Sequence, residues 1–381
     1  MSTNICKPLL TVALWVSGLV IVACGNGNSA LTDSDTQPSA TDTASTASTS
    51  TSIADSATHS AAGSTEPHEN SDTHPVGPVD ALTGKESAPT LSWIRIEAGA
   101  FTFGSPENYP CRGPGVEKEV PVTLTRPYVI AATEVTQAQW QALDLPNPSK
   151  NVGADKPVTF VNFYEALVWC NKLSLLEGLD TCYDLSTCTN PVGAGCGPEE
   201  PWGDEGCWEE DKNFTCIGEI HKYQDWYACP GYRLPTTAEW EYAAKANVTK
   251  TRTYGGDLHG EALSTCSRQP SLEDIAWYCH NSGGEVHPVA QKLPNPWGLY
   301  DTLGNAYEWT DYFTEGQSLD YDTPGQPATN PMGPRSGYQK EMRGGVFSET
   351  GCYVNPTRPF GNTPFTRRHD TSFRPVRTIL E

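Results

Sequence analysis

Three stretches of the chain carry apolar residues at helical spacing behind a capping signal. Thr136-Gln-Ala-Gln139 has the form of a capping box, in which two side chains satisfy amides of the first helical turn; Trp140 and Leu143 follow it. Asn162 stands three residues before Glu165. Ala166, Trp169, Cys170 and Leu173 then recur on one helical face, and Gly178 is a natural stop. Thr236-Thr-Ala-Glu239 is a third box, directly behind Pro235, with Trp240, Ala243 and Ala244 as its apolar stripe. Strand-like runs are short: Trp93 to Ile96, Val120 to Leu124, Tyr128 to Ala131 and Glu341 to Phe347. The pattern predicts an α+β fold with little regular secondary structure.

The chain begins differently. Behind Lys7, Leu9 to Val22 is almost wholly apolar, too short for a comfortable membrane span and suited to the h-region of a signal peptide. It ends in Ile21-Val22-Ala23-Cys24, which resembles the bacterial lipobox. The resemblance implies a lipoprotein signal peptide over residues 1–23 and lipid on Cys24. Gly25, in place of an Asp, implies the outer membrane, facing either the periplasm or the cell surface. An ordinary cleaved signal would also deliver the chain to an oxidising compartment. Residues 24–90 are rich in Ser and Thr and contain no Phe, Trp or Tyr. Such a segment buries too little apolar surface to offset its ordering entropy, so a disordered tether is expected. The aromatic residues gather from Trp93 onward, and residues 91–381 read as one domain with an insertion at 181–229.

Composition narrows the classes. A formal net charge of −21 excludes a nucleic-acid binder, because phosphate recognition needs clustered Lys and Arg. It leaves divalent cations and basic partners open. With 34 Gly and 31 Pro, a helical bundle is disfavoured. Thirteen Cys is high for a reducing cytosol. Cys182, Cys188, Cys196, Cys207, Cys216 and Cys229 fall in the insertion, and Cys266 and Cys279 stand close together after it. No C-x2-C or C-x4-C pair occurs, so disulfides are expected rather than zinc, with the pairing open. Setting Cys6 and Cys24 aside leaves an odd number. One thiol is therefore unpaired or pairs outside the chain, with Cys111, Cys170 and Cys352 as candidates. Cys170 lies on the apolar face of its helix, where a buried inert thiol is expected.

Several strings together are familiar. They are Trp93 to Gly104, Thr133 to Trp140 (TEVTQAQW), Pro157 to Leu173, Gly231 to Ala244 (GYRLPTTAEWEYAA), Pro288 to Trp309 (PVAQKLPNPWGLYDTLGNAYEW) and Met342 to Gly345 (MRGG). In this order they resemble the formylglycine-generating enzyme family, also called the sulfatase-modifying factor family. The resemblance spans most of residues 91–377 and implies that family's fold, related to C-type lectins. The family contains copper-dependent oxidases that convert a sulfatase Cys to formylglycine, iron-dependent relatives, and members with no clear catalytic site. Membership therefore leaves function to be argued from the site.

In the oxidases the RGG strand continues into a Ser and then two Cys that bind Cu(I), a soft ion suited to sulfur. Here Arg343-Gly344-Gly345 is followed by Val346 at the Ser position and Glu349 at the first Cys position. Cys352 aligns with the second Cys only across a small gap. It is the one candidate for a catalytic redox thiol, and its alternative is a disulfide, with Cys111 as a partner. His280, His287 and His369 stand singly, and no HxxxH pair supports the iron-dependent relatives. The segment Asp301-Thr-Leu-Gly304-Asn-Ala306-Tyr-Glu308 matches a calcium site of the family. The implied ligands are side-chain oxygens of Asp301 and Glu308 and the carbonyls of Gly304 and Ala306, a set that suits Ca²⁺. The alternative is that Asp301 caps a turn while Glu308 pairs with an Arg. Two functions follow. One is a non-catalytic module on the outer membrane that binds a protein or a glycan. The other is a copper-dependent formylglycine-generating oxidase acting on a secreted sulfatase.

Overall fold

The computed structural model of the protein describes residues 78–79, 89–109, 111–112, 117–195, 210–248, 253–256, 261–314 and 327–380. The chain divides into two units, 1–69 and 70–381, and every described residue belongs to the second. The expected signal peptide, Cys24, most of the tether, Cys196 and Cys207 lie outside the described residues. No helix among the described residues is long and apolar enough to cross a membrane.

Four small sheets carry the fold. In the first, β1 (Pro78–Val79), β2 (Trp93–Ile96), β5 (Tyr128–Ala131) and β13 (Val376–Thr378) lie side by side, antiparallel, so the first and last strands form the two edges of one sheet. The second has the order β11 (Phe360–Asn362), β10 (Gln339–Arg343), β8 (Tyr307–Thr314), β12 (Thr371–Ser372). The third joins β3 (Gly99–Phe103), β4 (Val120–Leu124) and β9 (Ala328–Thr329). The fourth is β6 (Cys188–Thr189) against β7 (Thr215–Cys216) in the insertion. Strand β4 alternates buried and exposed residues, as a strand with one wet face must. By contrast, β5 is buried throughout: Val129 and Ala131 pack into one apolar cluster and Tyr128 and Ile130 into another.

All three expected helices are present, each with a complete capping box. Helix α1 is short, Gln137–Gln141, and leaves Leu143 just beyond its end. Helix α2 runs Phe163–Leu176 and stops before Gly178, whose φ is 74°. Its stripe of Ala166, Trp169, Cys170 and Leu173 is buried against Trp140, Trp309 and Phe373 in the largest apolar cluster. Helix α3, Thr237–Lys245, packs on β3, β8 and β10. A second cluster gathers Ile96, Phe103, Val122, Tyr128 and Leu299, and a third holds Leu272, Ile275, Tyr278 and Cys352. Burying each such side chain contributes about 1.5–3 kcal/mol.

One strand expectation is corrected. The run Glu341 to Phe347 does not continue as a strand; β10 starts at Gln339 and ends at Arg343. Gly344 and Gly345 have φ of 94° and 78°, and a Cβ on Gly345 would lie 2.8 Å from the Tyr353 carbonyl oxygen. The two glycines turn the chain out of the sheet and let it pass against the 353–354 backbone.

The cysteines pair as Cys111–Cys352, Cys182–Cys229, Cys188–Cys216 and Cys266–Cys279. Among the described residues the free thiol is Cys170, buried in α2.

Candidate functional site

The segment that leaves β10 begins with a buried anchor. Arg343 donates to Glu341 at 2.5 Å, to Thr237 at 2.9 Å and to Glu241 at 3.0 Å, joining β10 to helix α3. Val346 follows, almost fully buried, so no hydroxyl is presented there. Glu349 is half-buried, and its carboxylate accepts from the Tyr307 hydroxyl at 3.4 Å. Burial raises the Glu349 pKa; the Tyr307 hydrogen bond and Arg358 and Arg368 oppose that rise, and Asp370 adds to it. Three residues later Cys352 is tied to Cys111, and Arg358 donates to the Cys111 carbonyl at 3.0 Å. A disulfide sulfur carries no thiolate to bind metal. The free thiol of Cys170 is no substitute, since burial pushes its pKa far up.

Beside this segment lies a cavity of about 560 Å³, lined by Lys150, Val152, Glu285, Val286, Phe347 and His369, among others. Phe347 and Val286 are buried, while Val152 is exposed at the rim. The His369 ring sits between Phe347 at 5.7 Å and Phe160 at 6.4 Å. Its Nδ1 is buried and has no hydrogen-bond partner. Burial lowers the His369 pKa, which keeps the ring neutral near neutral pH. Phe160 holds a φ of 59°, which a bulky side chain rarely adopts, and its amide donates to the Arg368 carbonyl at 2.8 Å. Strain of this kind persists where the surroundings over-determine it. On the opposite wall Glu285 is held by Asn151 and by Lys156 at 3.2 Å. The cavity offers an apolar floor, a neutral imidazole and both signs of charge. Its described lining contains no Ser, Thr or Cys.

The calcium-like segment is deeply buried. Glu308 takes a fork from Arg374, at 2.5 and 2.6 Å, and a bond from the Trp240 indole at 2.7 Å. Asp301 Oδ2 accepts from the Ala290 amide at 2.7 Å. Asp301 Oδ1 and Glu134 Oε2, both buried, have no partner. Burial raises the Glu134 carboxyl strongly, and the Asp301 and Glu308 charges add to it, with Arg374 opposing. Burial likewise lifts Asp301, to about 6. Ala290, Asp301 and Asn305 all have positive φ here. Arg374 bonds Glu308 directly, its charge also bears on Asp301 and Glu134, and Lys292 acts on Asp301. Among the described residues, however, no three His, Cys, Asp or Glu side chains converge as a ready-made metal cage.

Residues 78–379 match the sulfatase-modifying factor enzyme 1-like domain. The chain belongs to the formylglycine-generating enzyme family. The formylglycine-generating enzyme of Streptomyces coelicolor is 31% identical over 303 residues, 75% of this chain and 88% of the enzyme. The chaperone protein LppX of Paenibacillus barcinonensis is 32% identical over 222 residues, 57% of this chain and 69% of LppX. Among solved structures, Treponema denticola variable protein 1 superposes with a TM-score of 0.56 at 27% identity, covering 81% of this chain and all of that one. PvdO from Pseudomonas aeruginosa shares the fold, with a TM-score of 0.54 at 18% identity over 80% of this chain and 99% of that one.

Gly344 and Gly345 make the turn behind Arg343, and Glu349 and the disulfide-bonded Cys352 follow it. The Cys352–Cys111 bridge is the alternative that the sequence left open beside a redox thiol. Glu308 pairs with an Arg, and Asp301 holds a turn, yet one oxygen of Asp301 stays unsatisfied. The cavity at Phe347 and His369 was not legible beforehand. Its walls come from four separate segments, and His369 stood in the sequence as one lone histidine among three.

Proposed function

We propose that the protein is a non-catalytic binding member of the formylglycine-generating enzyme family that holds a segment of a protein partner in the Phe347–His369 cavity. The observation that carries this reading is the Cys111–Cys352 bridge, with Glu349 standing where the first copper thiolate would be. A hard carboxylate is a poor ligand for Cu(I), and a single sulfur cannot complete the site. The name of the LppX relative, a chaperone protein, supports a protein partner over a glycan at this cavity. A secreted sulfatase is one candidate partner. The lipobox-like Ile21 to Cys24 supports attachment to the outer membrane. Membrane fractionation in which Cys24→Ser behaves like wild type would remove that part.

Calcium is proposed at Asp301, Gly304, Ala306 and Glu308. The unpartnered Asp301 and Glu134 oxygens and the excess of carboxyls over cations support it. Glu308 would share Oε1, which takes one hydrogen bond from Arg374. Bound there, calcium would neutralise buried charge. A melt that chelator leaves unchanged would speak against it, since a ligand at a hundredfold excess over its Kd stabilises by about 2.7 kcal/mol.

The second reading, a copper-dependent oxidase, draws on the S. coelicolor enzyme, most of whose length this chain spans. Titration of the full protein with Cu(I) against a competing chelator separates the two. The binding reading predicts no stoichiometric copper–thiolate complex in the oxidised protein. One tight Cu(I) equivalent, lost in Cys352→Ser, would favour the oxidase.

A further inference from the structure

A smaller cavity of about 160 Å³ lies beyond the C-terminal end of helix α3 and shares no lining residue with the Phe347–His369 cavity. It is lined by residues 96–100 together with Tyr242, Asn247 and Trp297. That is below the roughly 300–1,000 Å³ of clefts for drug-sized ligands, so it has room for about one ring.

The walls are fixed by specific devices. Helix α3 ends in two left-handed residues, Ala246 with φ of 46° and Asn247 with φ of 61°, which bring Asn247 to the cavity. The Asn295 amide donates to the carbonyls of Ala243 and Ala244, at 2.8 and 3.1 Å, in the last turn of α3. Its Oδ1 accepts from the amide of Trp297 at 3.0 Å, which ties the Trp297 loop to the helix. The indole then meets Tyr242 edge-on, with centroids 4.9 Å apart, and Tyr242 rests on Phe101 at 5.0 Å. Gly99 makes space for the phenol: a Cβ there would lie 2.2 Å from the Tyr242 hydroxyl. Burial, with Glu97 adding, raises the Tyr242 pKa, so the hydroxyl remains a donor at neutral pH.

An aromatic wall faced by a hydroxyl, a carboxylate and an amide matches a ring with one apolar face and a hydrogen-bonding rim. A small organic cation would also suit the aromatic rings. However, Glu97 already carries Arg95, at 2.6 and 3.4 Å, so its charge is compensated. A neutral polyol keeps that pair and still gains its acceptor oxygens. We propose that this cavity binds a single saccharide unit, with its C–H face on Trp297 and its hydroxyls on Glu97, Tyr242 and Asn247.

The test is NMR titration of the full protein with glucose, galactose and N-acetylglucosamine, their methyl glycosides and a trisaccharide, read by saturation transfer to the sugar protons in every variant and also at the Trp297 indole N–H in wild type. Trp297→Phe assigns that signal and keeps an aromatic face. The expected result is saturable, millimolar binding of at least one sugar. It should be weakened about tenfold in Trp297→Ala, equivalent to about 1.4 kcal/mol, and also weakened in Gly99→Ala. Tighter binding of the glycosides or trisaccharide identifies the end of a glycan chain, and tighter binding of the reducing monosaccharide identifies a free sugar. The proposal is overturned by absence of saturation for every sugar, or by binding that persists unchanged in a folded Trp297→Ala protein. It is equally overturned if tetramethylammonium binds and the sugars do not.

Discussion

Asp311 is buried between Lys340 and His221. Its Oδ1 accepts from Lys340 at 2.7 Å; its Oδ2 faces His221 Nε2 at 2.7 Å and the Tyr183 hydroxyl at 3.1 Å. Burial alone would raise this carboxyl, but His221 and Lys340 outweigh it and hold the pKa well below the usual range. The partner does not gain symmetrically. Burial pulls the Lys340 ammonium below its ordinary value, although Asp311 opposes the drop. The pH-dependent stability of the pair is therefore assigned to Asp311. A carboxyl with a depressed folded pKa stabilises the fold above its unfolded value, about 3.9, and that contribution is lost as pH falls toward the folded value. Asp311→Asn should cost about 3–5 kcal/mol at neutral pH, because it leaves Lys340 buried and unpaired. In denaturant titrations its stability should fall less steeply than wild type below about pH 4. Parallel acid limbs for the two proteins would contradict the assignment.

At the scale of elements, local signals were legible and distant ones were not. Each capping box has both partners within three residues, so spacing alone revealed it. The partner that makes the α2 cap more than a cap is far away. Glu165 accepts from the Asn162 amide at 3.0 Å, and also from Arg367 at 3.0 and 3.1 Å and from Gly193 at 2.8 Å. No period or motif links residues 165 and 367. The same holds for Glu308 and Arg374, whose pairing the sequence offered only as an alternative. Asn162→Ala should cost about 0.5–2 kcal/mol, the range of a lost N-cap. Glu165→Ala should cost about 3–5 kcal/mol, because Arg367 is then buried without a counter-charge. Equal losses in chemical denaturation would mean that the Arg367 fork adds nothing. The glycine pair at 344–345 shows a different limit. An apolar run continued past Arg343, but the backbone turns there because only glycine tolerates the approach to residues 353–354.

For the whole molecule, the family domain spans residues 78–379, and within it the Cys111–Cys352 bridge lies beside Glu349 in the segment that follows the RGG turn. The strings that reveal the scaffold are dense in Trp, Gly and acidic residues, and these pack or turn the chain. The proposed binding reading rests on few residues: Val346, Glu349, Cys352 and its partner Cys111. Val346 and Glu349 were legible by counting from the RGG turn; Cys352 aligned only across a small gap, and its bridge to Cys111 was one of two alternatives that the fold decides. The most direct measurement is mass spectrometry of a C-x-P-x-R peptide incubated with the full protein, Cu(I), O₂ and reductant, strong enough in one arm to open disulfides. The binding account predicts no Cys-to-aldehyde mass loss in either arm. Conversion that disappears in Cys352→Ser would contradict it and make Cys352 a catalytic thiol.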